Sequence, residues 1–154
     1  MKELLNTDIK PKNKYIHYLG YSFLIAFLWQ IVGHENYSYS VAFPVIFGIN
    51  AYPLLVWTLG LWIFAIFFMF LSKKFSKWKL VIFSIVLYWI VLISSETIAY
   101  HYFGFRDNAV ASYPGLPLCD CIHGPLWMQI VYLLMGPILI GVLLFVDKSI
   151  KFKE

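Results

Sequence analysis

Four runs of apolar residues divide the chain, at 15–33, 53–72, 80–100 and 126–146. Each is close to the ~20 residues that carry a helix across a hydrocarbon core of ~30 Å. Within a run the apolar positions fall on every face, with neither the one-sided stripe of a soluble helix nor the alternation of a barrel strand. A backbone in lipid must satisfy its own hydrogen bonds, so the runs are predicted to be helices. The expected fold is all-α: an integral membrane four-helix bundle, with residues 1–154 forming a single membrane domain. The connections at 34–52 and 101–125 are long, whereas the one between the second and third runs is short.

Polar residues set the orientation. Lys2, Lys10, Lys12 and Lys14 precede the first run, Lys73, Lys74, Lys77 and Lys79 separate the second from the third, and Lys148, Lys151 and Lys153 follow the fourth. Arg106 is the remaining basic residue. Basic clusters collect on the cytoplasmic side of spans, which predicts an N-in, C-in protein with loops 34–52 and 101–125 outside. The net charge of +4 is thereby assigned to membrane edges rather than to a nucleic-acid partner. The first run is too long for a signal-peptide core and lacks a small-residue cleavage site, so it is expected to remain as a span. The expected location is the plasma or inner membrane of a microbe, with both termini cytoplasmic and the lipid bilayer as the first partner.

Composition agrees with the pattern. Hydrophobic residues make up 61% of the 154 and charged residues 13%, against roughly 25% charged in soluble domains. A soluble chain of this size could not hide so much apolar surface. Trp29, Trp57 and Trp127 fall near the predicted outer ends and Trp78 near the inner edge, as interfacial anchors do. Trp62 and Trp89 are mid-run, where packing between helices or facing lipid is expected. Gly136-Pro137 predicts a kink in the fourth helix.

The first outer loop contains the apolar stretch 41–49, too short to span and too apolar for a solvated loop. A re-entrant or interfacial segment packed on the bundle is expected there. It is preceded by Asn36-Tyr37-Ser38, a formal glycosylation triplet. The second loop is rich in Gly, Pro and Tyr and carries Cys119-Asp120-Cys121-Ile122-His123.

Most reactive side chains lie on this predicted outer side: His34, Glu35, Glu96, His101, Arg106, Asp107, Asp120, His123 and both cysteines. Glu96 stands seventeen residues beyond Lys79, roughly 25 Å along a helix, just below the outer interface. A carboxyl at that depth is a functional candidate by default and a plausible general acid or proton carrier. Glu35, at the end of the first run, is a candidate second carboxyl, since paired acids in unlike surroundings divide acid and base roles. His101 is the third catalytic candidate, although its spacing of five from Glu96 departs from the i, i+4 relation. His34, His123 and Asp120 are candidate metal ligands of a mixed N/O site, without a zinc signature. Cys119 and Cys121 allow an outer-face disulfide, a redox pair, a soft metal half-site or two packed thiols. The four-span, both-ends-in arrangement with outer cysteines resembles the quinone-linked membrane oxidoreductases that oxidise periplasmic thiols. That family has two cysteine pairs and a C-x-x-C spacing, so its activity is not carried over to this single C-x-C.

Three functions follow. The first is a membrane-embedded enzyme applying acid/base chemistry to a lipid or isoprenoid-like substrate, with aromatic residues lining the pocket or stabilising positive charge. The second is an accessory or assembly subunit that docks on a membrane protein partner. The third is a carrier or metal-handling protein.

Overall fold

The computed structural model describes residues 11–36, 38, 43–104, 108–110, 112–147, 150 and 152. Four long helices carry the chain: α1 (Pro11–Gly33), α2 (Ala51–Ser72), α3 (Lys77–His101) and α4 (Leu126–Val146). All four are long and apolar enough to cross a membrane. The predicted runs match them to within a few residues.

Local chemistry sets the helix ends. Asn50 caps α2, its side chain accepting from the Tyr52 N–H at 3.0 Å. Pro53 follows in the first turn, where a missing N–H removes no helical bond. The Lys73–Ser76 turn closes on Leu71, whose carbonyl accepts from Lys74 N and Phe75 N. So short a connection makes α2 and α3 antiparallel neighbours. Pro125 precedes α4 and offers its carbonyl to Met128 N and Gln129 N.

α1 packs along α2, and α4 lies against α1, α2 and α3. Ala26 and Ala65, both fully buried, let α1 and α2 approach closely. α3 is more peripheral. Its buried residues are Leu80, Ser84, Tyr88 and Leu92, one i, i+4 row, and Glu96 is the next position in that row. The two ends of the bundle differ. One, the lysine end, carries Lys14, Lys73, Lys74, Lys77 and Lys79. The other, the loop end, carries the two long connections. At the lysine end the Tyr18 hydroxyl donates to the Asp147 carboxylate, with Lys14 Nζ 4.0 Å from the same group. That ties the start of α1 to the end of α4.

Two tryptophans depart from expectation. Trp29 and Trp57 are not interfacial anchors: they are 4% and 9% exposed and belong to the core. Both rings meet Tyr132 edge-on, with centroids 5.6 and 4.8 Å away. Aromatic rings gain more from such packing than from the interface when a partner ring is at hand. Trp78 and Trp127 remain exposed at helix ends. The mid-helix pair stays partly on the outside of the bundle while bonding to neighbouring helices: Trp62 donates to the Tyr15 carbonyl and Trp89, 39% exposed, to the Leu133 carbonyl, each at 2.9 Å. The second bond has a cause. Pro137 has no N–H for the carbonyl four residues earlier, which is that of Leu133, and the Trp89 indole supplies a donor. α4 continues through Pro137 as one helix.

The first connection is the one expected to be re-entrant or interfacial. Its described part is a hairpin, β1 (Val45–Ile46) with β2 (Ile49–Asn50), pairing Val45 with Asn50 and Ile46 with Ile49. Phe47 and Gly48 both have positive φ, as a two-residue hairpin turn demands. The hairpin satisfies its own backbone and projects Val45, Ile46 and a fully exposed Phe47. Residues 37 and 39–42 of this loop, which include part of the glycosylation triplet and the start of the apolar stretch, lie outside the described residues.

Candidate functional site

The second connection folds down onto the loop end of the bundle. Leu116 N–H donates to the Cys121 carbonyl, while Cys119 N and Asp120 N donate to the Leu116 carbonyl. Cys119 and Cys121 are joined in a disulfide. The bond is the form that both the structural-disulfide and the redox-pair readings call for, and in it neither sulfur is a thiolate. Gly115 sits against this turn: a Cβ there would lie 2.9 Å from the Asp120 carbonyl carbon and 3.0 Å from Cys121 N. Asp120 and Ile122 hold left-handed φ of 44° and 54°. That conformation is an outlier for a β-branched residue. It marks the segment as one held in place by its surroundings.

Those surroundings are specific. Gln129 of α4 donates through Nε2 to the carbonyls of Pro114 (2.8 Å) and Gly124 (3.1 Å). His123 Nδ1 lies 2.7 Å from the Tyr113 carbonyl. Its Nε2 faces Asp120, 3.2 Å from the carbonyl and 3.3 Å from Oδ1. The imidazole stacks on Tyr100 at 4.5 Å and 14°. Val110, Cys121 and Ile122 are buried beneath the loop. Residues 112–123 thus form a lid pinned to α3 and α4, with Val110 buried beside it.

Under the lid lies a cavity of about 160 Å³. Its walls include Tyr52, Trp57, Tyr100 and Tyr132, with Ile122 and His123 above and Glu96 to the side. A second space, about 380 Å³, runs between α2 and α3 away from the lid. It is lined by Gly60, Ile63, Phe64, Phe67, Leu87 and Val91 among others. Ile63, Phe67 and Val91 are exposed on the outside of the bundle, so this groove opens towards the surroundings of the helices. Val56, Trp57, Ser95 and Glu96 line both spaces. Glu96 therefore borders both an aromatic cavity under the lid and an open, apolar groove. Among the described residues its carboxyl has no hydrogen-bond or ion-pair partner. Five residues separate it from the end of α3, a depth of roughly 8 Å.

The other candidates are dispersed. His101 is exposed, and its Nε2 contacts the Cys119 carbonyl at 3.1 Å. Five residues place it roughly 140° around the helix from Glu96, which is why it supports the lid and does not line the cavity. Glu35 lies in an exposed 3₁₀ turn, His34–Asn36, and borders neither space. α1 and α3 occupy opposite corners of the bundle, separated by α2 and α4, so the two carboxyls are not paired. His34 turns back to the Ile31 carbonyl at 3.0 Å. Of the metal candidates only His123 and Asp120 meet. No group of three His, Cys, Asp or Glu that could hold a metal occurs among the described residues. Arg106 and Asp107 lie outside them.

No family model matches the chain, and no curated protein or solved structure does. The chemistry must therefore be read from the site. A solitary carboxyl in an apolar, aromatic enclosure can accept or release a proton, or balance a positive charge.

Proposed function

We propose that the chain is a membrane-embedded enzyme in which Glu96 performs acid/base chemistry on a lipid or isoprenoid-like substrate. In this reading the four helices span the plasma or inner membrane of a microbe. The lysine end, with both termini, faces the cytoplasm and the lid faces outwards, as the basic clusters favour. The observation that carries the proposal is the position of Glu96, which borders both the apolar groove and the cavity under the lid. An amphiphile from the outer leaflet would lay its tail along α2 and α3. Its reacting head would then meet the carboxyl under the lid, shielded from water. A carboxylate there takes a proton from the head, and the resulting acid returns it to the product.

A carrier reading gains less support, because the lysine half of the bundle is filled by Phe68, Leu80, Leu139 and Leu143, all essentially inaccessible. The accessory-subunit reading has one observation in its favour, the apolar hairpin tip at Val45, Ile46 and Phe47. The test separates it from catalysis. Purified protein is incubated in nanodiscs made from the total lipid of its host, and the lipids are followed by mass spectrometry. The wild type is expected to deplete one lipid species and accumulate another, and Glu96→Gln to lose this conversion while remaining folded. Gly60→Trp should also slow it, since a side chain at Gly60 meets open space in the groove. Conversion retained by Glu96→Gln would end the catalytic assignment. No conversion by the wild type, together with a stable co-purifying protein, would favour the accessory role.

A further inference from the structure

The walls around Glu96 restrict what head can bind there. Tyr52, Trp57, Tyr100 and Tyr132 all border the cavity. Trp57 and Tyr132 pack edge to face, at 87° with centroids 4.8 Å apart, and with Tyr52 and Tyr100 they give the cavity an aromatic wall, the aromatic box. Ring faces carry negative electrostatic potential and attract cations, most strongly when the cation is shed of water. The Glu96 carboxyl borders the same space and, when ionised, adds negative charge to it. No lysine or arginine among the described residues lines it.

An anionic head would find little to hold it. α2 begins at the cavity, and a helix N-terminus can bind anions through its free N–H groups. Here those groups are taken or missing: Ala51 N donates to the Pro44 carbonyl, Tyr52 N to the Asn50 side chain, and Pro53 has none. Both His123 nitrogens face acceptors of the lid, Nδ1 the Tyr113 carbonyl and Nε2 Asp120. A neutral head would gain hydrogen bonds to a few hydroxyls but nothing from the ring faces. A cation gains from the carboxylate and the rings together.

We propose that the ligand is a cationic amphiphile, with a quaternary or protonated amine head in the aromatic box against Glu96 and an apolar tail in the groove between α2 and α3. This rests on reading the Glu96 cavity as the substrate site and specifies the class of molecule it takes. The positive centre lies beside the carboxylate, to which a protonated amine can pass its N–H proton and by which a quaternary head is held as an ion pair.

The test uses purified full-length protein in micelles of an uncharged maltoside detergent. The probes are hexadecyltrimethylammonium, at low molar excess, and its uncharged analogue with carbon in place of nitrogen. Binding is read by native mass spectrometry and by the shift in unfolding temperature. The cation is expected to bind at least about tenfold more tightly than the carbon analogue, a preference that measured cation–π and charge-pair strengths support. Glu96→Gln should remove most of that preference, and Tyr52→Leu should reduce it about threefold. Gly60→Trp should weaken both probes alike. Equal binding of the two probes, still weakened by Gly60→Trp, would overturn the cationic head while leaving the lipid site standing. Binding of neither probe specifically, with Gly60→Trp without effect, would overturn both.

Discussion

Glu96 shows how one residue takes its role from its neighbours. Its carboxyl is placed by the row Leu80, Ser84, Tyr88, Leu92 that faces α3 into the bundle, and it lines both the capped cavity and the open groove. As a general acid or base it would account for about 10²–10⁴-fold in rate, so Glu96→Gln should lower turnover by at least about a hundredfold with folding unchanged. A glutamate near the end of an otherwise apolar run is visible in the sequence because so few charges compete with it. Trp57, Tyr100 and Tyr132 are not visible there as site residues: in a chain that is 20% aromatic, a single ring carries no signal until packing sorts it. Gln129, which anchors the lid, escapes notice for a similar reason, since one amide near a helix start does not announce its partners. Trp89 and Pro137 illustrate a dependence that can be measured. Trp89→Phe should destabilise the protein by about 0.5–2 kcal/mol, the range of hydrogen bonds between membrane helices. In a Pro137→Ala background the same change should cost almost nothing, because the backbone N–H restored by that substitution then serves the Leu133 carbonyl. Denaturation of the four proteins of this double-mutant cycle in micelles gives the coupling; an additive result would mean that the indole bond does not compensate the proline.

Among the elements, the helices are legible in the sequence and the connections only partly so. Helix positions follow from the length of apolar runs, which the bilayer dictates, and the ends agree with the lysine clusters and with Gly33 and Pro53. The hairpin at Val45–Asn50 is not legible, because a short apolar stretch fits a re-entrant turn as well as a hairpin. Its distinguishing feature is Phe47 in a left-handed turn conformation, which no propensity favours. The contact of α3 with α4 turns on Gly136. A Cβ there would overlap the Tyr88 ring, whose hydroxyl donates to the Tyr132 carbonyl at 2.6 Å. Gly136→Ala should therefore cost about 1–3 kcal/mol through overpacking, read by thermal unfolding, and Gly136→Ala with Tyr88→Leu should recover part of it. The lid depends on Gly115 in a comparable way, except that the conflict is with backbone. Gly115→Ala should displace Ile122 and His123 from the cavity and weaken ligand binding at least several-fold. Replacing both cysteines by serine should have a similar effect on binding with a loss of only about 1–2 kcal/mol in stability, since the bond closes a very short loop. Unchanged ligand affinity in both variants would show that the lid does not shape the site.

At the scale of the whole molecule, polarity and packing divide the bundle into two halves with different tasks. The lysine end is closed by Tyr18, Asp147 and Lys14 and by a filled apolar core. The loop end holds the cavity, the lid and the opening of the groove. That one-sided distribution is readable in the sequence, where histidines, acids and cysteines cluster away from the lysines. Which of them converge is not, because it depends on helix order around the bundle. The diagonal placement of α1 and α3 separates Glu35 from Glu96, and the turn of α3 separates His101 from it. The most direct test of a lipid-accessible site at Glu96 is photo-cross-linking in nanodiscs with a long-chain amphiphile carrying a diazirine midway along its tail, followed by peptide mapping. Labelling concentrated on Val56–Phe67 of α2 and Leu87–Glu96 of α3, and abolished by Gly60→Trp, is the predicted result. Labelling spread evenly over the outward faces of all four helices, and indifferent to Gly60→Trp, would contradict it.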